Sequence, residues 1–198
     1  MHKPQIFTKA LFGAAVLSLS FGTVSCKQEA KSEDPKEVAE DENEAKFDDT
    51  KRMEEDAEIL VDAAEFDLME RELGKLAQAK GVSTEVKDLA EMIEMHHNES
   101  FNELSALAKS KGFSIPTALT EDGQKEYDRL NKVEAKNFDK EYLDRIYKDH
   151  HEALEDLTQY AQKTQDVEIK SYLDGELPAL KNHHDAANDL MIKMNPKK

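Results

Sequence analysis

The chain has 198 residues, a formal net charge of −16, 35% charged and 38% hydrophobic residues, one cysteine and no tryptophan. That describes one modest domain with appendages, and so acidic a chain argues against binding nucleic acid, favouring cations or basic partners. A single cysteine leaves no intramolecular disulfide framework and no Cys-rich zinc or iron–sulfur site, so any chemistry falls to histidines and carboxylates.

Residues 1–9 carry Lys3 and Lys9 and precede an apolar run from Ala10 to Val24. The run is shorter than the ~20 residues of a membrane-spanning helix and a charged segment follows it, which reads as a secretory signal peptide over residues 1–25. It ends in Thr23-Val24-Ser25-Cys26, which resembles a bacterial lipobox, with Thr23 departing from the usual Leu or Val. Cys26 is thus expected to be acylated and to anchor an exported protein in the envelope, with the outer membrane favoured and its face open. Residues 27–50 hold ten acids and four lysines with little to bury. They are expected to form a disordered acidic tether, taken as residues 26–52 with the lipidated cysteine, spanning ~25–30 Å. An acidic stretch after such a cysteine also resembles surface-export signals of Bacteroidota lipoproteins.

From Met53 to Met194 the pattern is helical, and residues 195–198 are a short tail. Gly and Pro serve as punctuation. A first long helix is expected from about Lys51 to Lys80, ended by Gly81. Ser83 then caps a second that ends near Lys111-Gly112. After the loop GFSIPTALT, Thr120 caps a short helix over Glu121–Asn131. A third long helix runs from about Glu134 to Lys163. A fourth runs from near Asp166 toward Lys193, with Gly175 and Pro178 expected to kink or break it. The fold class is all-α, a four-helix bundle. Its long connection between the second and third long helices either turns back or crosses the bundle length, and the sequence leaves both open.

Read at alternating four- and three-residue steps, each helix presents an apolar stripe with polar misfits. The stripes run Ile59, Ala63, Phe66, Glu70, Leu73, Ala77; Val86, Ala90, Ile93, His97, Ser100, Leu104, Leu107; Leu143, Ile146, His150, Ala153, Leu157, Tyr160; and Ile169, Leu173, Glu176, Leu180, His183, Ala187, Leu190. By helical rise, Glu70, His97, His150 and His183 lie ~15–26 Å from their turns, near mid-bundle in either topology. Six of the seven histidines also form adjacent pairs, His96-His97, His150-His151 and His183-His184. One member of each can face inward while the other lies on the flank.

A buried Glu needs its charge compensated, and three neutral imidazoles with one carboxylate suit a divalent zinc, copper, iron or manganese ion. Glu70, His97, His150 and His183 are therefore the candidate metal ligands. Glu94, His96, Asp149, Glu176 and His184 are candidates to orient them. The alternative is a polar layer in which Glu70 bonds directly to histidines and fixes packing without a metal. Methionines 92, 95, 191 and 194 read as core filler rather than copper ligands.

The segments LMERELGKLA, VKDLAEMIEMHHNESFNEL, NFDKEYLDRIYKDHHEAL and ELPALKNHHDAA resemble the helices of the domain-of-unknown-function 4142 family over about Leu60 to Leu190. This is a group of bacterial envelope proteins with no established activity. The resemblance implies a ferritin-like bundle and matches Glu70, His97, Asp149, His150 and His183 to the family's recurring polar positions. His96 stands where the family usually has Asp. A ferritin-like di-iron site uses Glu-x-x-His on two helices, whereas only Glu94-x-x-His97 is present here, with Tyr147 and Leu180 at the corresponding positions of the other histidines. A standard di-iron oxidase is therefore disfavoured, as is haem, since C-x-x-C-H is absent. No nucleophilic triad and no Gly-rich phosphate loop occurs.

Two functions follow from the sequence. One is an envelope lipoprotein that binds a divalent transition metal for storage, sensing or slow redox. The other is a non-catalytic interaction lipoprotein whose acidic surface meets a basic protein or envelope polymer.

Overall fold

The computed structural model describes residues 33–194. The signal peptide, the lipidation at Cys26 and the tail at 195–198 fall outside the described residues. Among the described residues there are six helices and no strand: α1 (Pro35–Phe47), α2 (Lys51–Lys80), α3 (Thr84–Lys111), α4 (Glu121–Asn131), α5 (Ala135–Lys163) and α6 (Val167–Met194). None is long and apolar enough to cross a membrane.

The ends of the long helices follow from local chemistry. Ser83 accepts the Val86 N–H at 3.2 Å and Thr120 accepts the Gly123 N–H at 3.1 Å, each supplying a partner to an otherwise unpaired first-turn donor. Gly112 closes α3 in the left-handed region at φ 76°, its N–H reaching the Ala108 and Lys109 carbonyls. Gly81 ends α2 differently. Its backbone is extended, at φ −53° and ψ 144°, and a Cβ there would lie 2.6 Å from the Ala77 carbonyl oxygen. Glycine is required at that turn by crowding, not by handedness.

α2 and α3 form one antiparallel hairpin and α5 and α6 another; α3 packs on α6 and α2 on α5. The order of the ends resolves the topology. Asp139, near the start of α5, accepts the Val82 and Ser83 N–H groups of the α2–α3 turn, both at 2.8 Å. Lys193, near the end of α6, reaches Glu85 at the start of α3 at 2.6 Å. At the opposite end, Lys111 of α3 meets Asp166 of the α5–α6 turn at 2.6 Å. The connection from α3 to α5, which carries α4, therefore runs the length of the bundle, and α3 and α5 are parallel.

Two expectations are corrected. Residues 35–47, expected within the disordered tether, are helix α1 packed on α2. Asp34 caps it at the Lys36 N–H (2.8 Å), and Pro35 fits the first helical turn. Asn43 is buried and exchanges two hydrogen bonds of 2.7 Å with the Ser114 backbone, while Phe47 packs edge-on against Phe113. Lys36 pairs with Asp62 and Glu65 at 2.8 and 2.7 Å. Composition concealed this helix because its anchors are polar and their partners are far along the chain. The second correction is that Gly175 and Pro178 do not break the last helix: α6 runs continuously from Val167 to Met194 with Pro178 inside. Packing against α5 and α3 outweighs the one backbone bond that proline forgoes.

The apolar core has two parts. Leu60, Leu104, Leu157, Ile169 and Leu173 belong to one, and Leu73, Ile93, Phe138, Tyr142 and Ile146 to the other. Glu70, His97, Ser100, His150 and His183 fall between them, whereas Glu176 is flanked on α6 by Leu173 and Leu180 of the first part. The methionines divide: Met92 and Met191 pack on the second part, but Met95 and Met194 are exposed and fill no core.

Candidate metal centre

The layer between the two apolar parts draws one turn from each long helix. α2 contributes Asp67 and Glu70, α3 His97 and Ser100, α5 His150, and α6 His183; all six are buried. Helical spacing explains the pairs on α2 and α3, since residues three apart share a face.

His97 Nδ1 lies 2.8 Å from Asp67 Oδ1, and Ser100 Oγ donates to Asp67 Oδ2 at 2.8 Å. Tyr172 OH is 2.8 Å from Ser100 Oγ, extending the chain to α6. His150 Nδ1 lies 3.0 Å from the Ile146 carbonyl, which can only accept, so that nitrogen carries the proton and Nε2 holds a lone pair. This Nε2 is 3.3 Å from His97 Nε2 and 3.1 Å from His183 Nδ1. Phe66 stands edge-on to both His97 and His150, with centroids 5.1 and 5.5 Å away.

Glu70 is the exception. It has no solvent exposure, and no N–H or hydroxyl donor reaches either carboxylate oxygen; its hydrogen-bonding neighbour is the Asp149 carboxyl, with which it shares a proton. Yet Glu70, His97 and His150 each place a ligand atom within 4.8 Å of the others, a spacing that could hold a metal ion. His96, His97 and His183 form a second such group.

Burial dominates the electrostatics. It pushes the Asp67 carboxyl up to about 8 and Glu70 well above the usual range, Glu70 also being raised by the nearby charge of Asp149. It lowers His97 and His183 to about 3 and His150 well below the ordinary histidine value, so the three imidazoles are neutral near pH 7. The layer then has two proton arrangements. With Asp67 ionised, His97 donates from Nδ1 and two Nε2 lone pairs face each other at 3.3 Å, as they do around a shared cation. With Asp67 protonated, His97 donates from Nε2 to the single lone pair of His150 Nε2, for which His183 Nδ1, 3.1 Å away, competes. In both, Glu70 bonds only the carboxyl of Asp149, an arrangement that needs a proton between them, so its ionised form is disfavoured in the bundle interior.

The residues expected to orient the ligands take varied places. Asp149 is buried, held by Arg145, and pushed up to about 6 by its burial. His96 is half-buried, its Nε2 3.4 Å from Glu176 Oε2 and its Nδ1 buried without a partner; burial lifts Glu176 to about 7. His184 stacks on Tyr147 at 4.4 Å and bonds Asp185, and His151 lies beside it on the flank. Glu94 is held by Gln78 of α2 and takes part in none of the layer's hydrogen bonds. The expected direct bond from Glu70 to a histidine is absent.

Asp67 and Tyr172 escaped the sequence reading. The four-three stepping on α2 passes through Phe66, one residue off, and Asp67 looks like a flank position. Its signal was the three-residue spacing to Glu70.

No curated protein matches the chain, and no solved structure does. The model of the domain-of-unknown-function family DUF4142 matches residues 41–190, a span that reaches back into α1. The chain belongs to that family.

Proposed function

We propose that the protein binds one divalent transition-metal ion through Glu70, His97, His150 and His183. Glu70 carries this reading. Its carboxyl lies in the bundle interior beside imidazole nitrogens and finds no donor but the carboxyl of Asp149, so a cation that enters supplies the counter-charge its ionised form needs. Asp67 and the Ile146 carbonyl, which engage His97 and His150 through Nδ1, are the outer contacts that orient histidine ligands and raise their basicity. The donor set, nitrogen with one carboxylate, suits zinc, iron, manganese or copper, in a storage, sensing or slow redox role. The length-spanning connection between α3 and α5 supports a ferritin-like bundle, with a ligand set that departs from the usual di-iron one.

A second reading, a packing layer without metal, is favoured by the arrangement in which protonated Asp67 lets His97 donate to His150, together with the proton that Glu70 and Asp149 share. Elemental mass spectrometry on the protein after metal loading and desalting decides between them. About one equivalent, lost when both His97 and His150 become Ala, supports the metal centre; no retained metal in a folded protein supports the packing layer.

We further propose that the protein is an exported lipoprotein anchored through Cys26 in the bacterial envelope, on the outer membrane. The apolar run followed by Cys26 supports this. Cys26→Ser is expected to abolish labelling by a radioactive fatty acid and to release the protein from membranes.

A further inference from the structure

Resting on the metal-centre reading, we propose that the cleft between α3 and α6 is the cation entrance, with His96 and Glu176 as the first station on the way to the buried ligands. The cleft has a volume of about 470 Å³ and is lined by Glu99, Glu103, Glu168 and Glu176, with no Lys or Arg in its wall. Glu168 is neutralised by Lys111 at its outer edge, which leaves the field strongest further in. Low-dielectric walls of one charge sign concentrate the opposite ion.

The inner end connects to the centre through histidine. His96 Nε2 faces Glu176 Oε2 at 3.4 Å, while its Nδ1 is buried and unpaired. Its ring centroid lies 5.0 Å from that of His183 and 5.3 Å from that of His97. His96, His97 and His183 are near enough together to hold an ion; His97 is shared with the Glu70–His97–His150 group, and His183 Nδ1 lies 3.1 Å from His150 Nε2. A cation can thus pass inward by exchange, releasing His96 as it takes Glu70 and His150, without ever losing all its protein ligands. Because the two sets share His97, they are successive stations for one ion.

A second cleft, about 610 Å³ between α2, α4 and α5, is acidic too, with seven carboxylates, but Lys125, Arg129 and Arg145 lie among them. The Phe66 ring, also in that wall, stands edge-on to His97 and His150, putting an apolar face between the cleft and the imidazoles.

Gly175 lines the α3–α6 cleft, and a Cβ there meets nothing within 4 Å, so a larger side chain can occupy the passage without displacing the fold. The test is stopped-flow absorbance of the full chain mixed with Co²⁺, comparing Gly175→Leu, the double variant Glu99→Gln/Glu103→Gln, and, as a control in the other cleft, Glu152→Gln/Asp156→Asn. Both entrance variants are expected to reach the wild-type final absorbance but about tenfold more slowly, the charge variant also losing salt dependence, while the control loads normally. Equal rates for all variants, or slowing by the control alone, overturn the entrance and leave the metal centre standing. Failure of the wild type to bind Co²⁺ overturns both. Should Gly175→Leu fail to fold, the charge variant and its control decide.

Discussion

Asp67 and Glu70 lie one helical turn apart on α2, both buried, yet their partners differ: Asp67 holds His97 and Ser100, whereas Glu70 meets no N–H or hydroxyl donor and bonds only the carboxyl of Asp149. One carboxylate completes the layer and the other is favoured to ionise when a positive charge enters. The consequences of that asymmetry can be measured.

Replacing Glu70 by Leu is expected to stabilise the metal-free protein by about 1–3 kcal/mol, since a buried carboxyl bonded only to a second carboxyl, Asp149, gives way to an apolar side chain of similar size. The same change should abolish metal retention. Urea denaturation of the chelator-treated proteins reads the first effect and elemental analysis the second. Destabilisation on the scale of a broken buried hydrogen bond would mean that the Glu70–Asp149 bond holds the fold together.

Asp67→Ala removes the group that sets the orientation and basicity of His97. Metal affinity should fall about 10–100-fold with the bundle still helical. Competition with a chromophoric chelator measures the affinity and circular dichroism checks the fold; unchanged affinity would remove His97 from the ligand set.

Metal-free stability should decline from about pH 6.5 to 8. Asp67, near 8, and Glu70, raised by burial and by Asp149, have folded values above their unfolded ones. Their contribution is present at low pH and is lost as pH rises toward the folded values, because the unfolded chain holds fewer protons. The three histidines act oppositely, being lowered by burial, but their effect falls mainly below pH 6.5. Saturating metal should remove or reverse the decline, since it favours the ionised Glu70. Denaturant titrations at pH 6.5 and 8, with and without metal, test the sign.

Asn43→Ala is expected to cost about 1–3 kcal/mol, because it leaves the Ser114 N–H and carbonyl without their side-chain partners. A midpoint equal to wild type in urea would return α1 to the status of a tether.

Most of the fold was legible in the sequence because helix ends obey local rules: Ser83, Thr120, Gly112 and the stretch after Lys163 all act where their chemistry suggests. The stripes through His97, His150 and His183 were legible for the same reason, since 3.6-residue periodicity needs no knowledge of partners. What sequence could not give depends on distant pairing. α1 is anchored by Asn43 on Ser114, and the direction of the α3–α5 connection is fixed by Asp139 on the α2–α3 turn. Asp67 was hidden by a one-residue choice of stripe. A break at Pro178 does not occur, because propensity says nothing of the packing that carries α6 through it.

The most direct test of the central claim is X-ray absorption spectroscopy of the zinc-loaded protein. The account predicts a nitrogen and oxygen shell with the outer-shell scattering of about three imidazoles, diminished in the His97→Ala/His150→Ala variant. A shell of oxygen alone, unchanged in that variant, would place the ion on the acidic surface and contradict the metal centre.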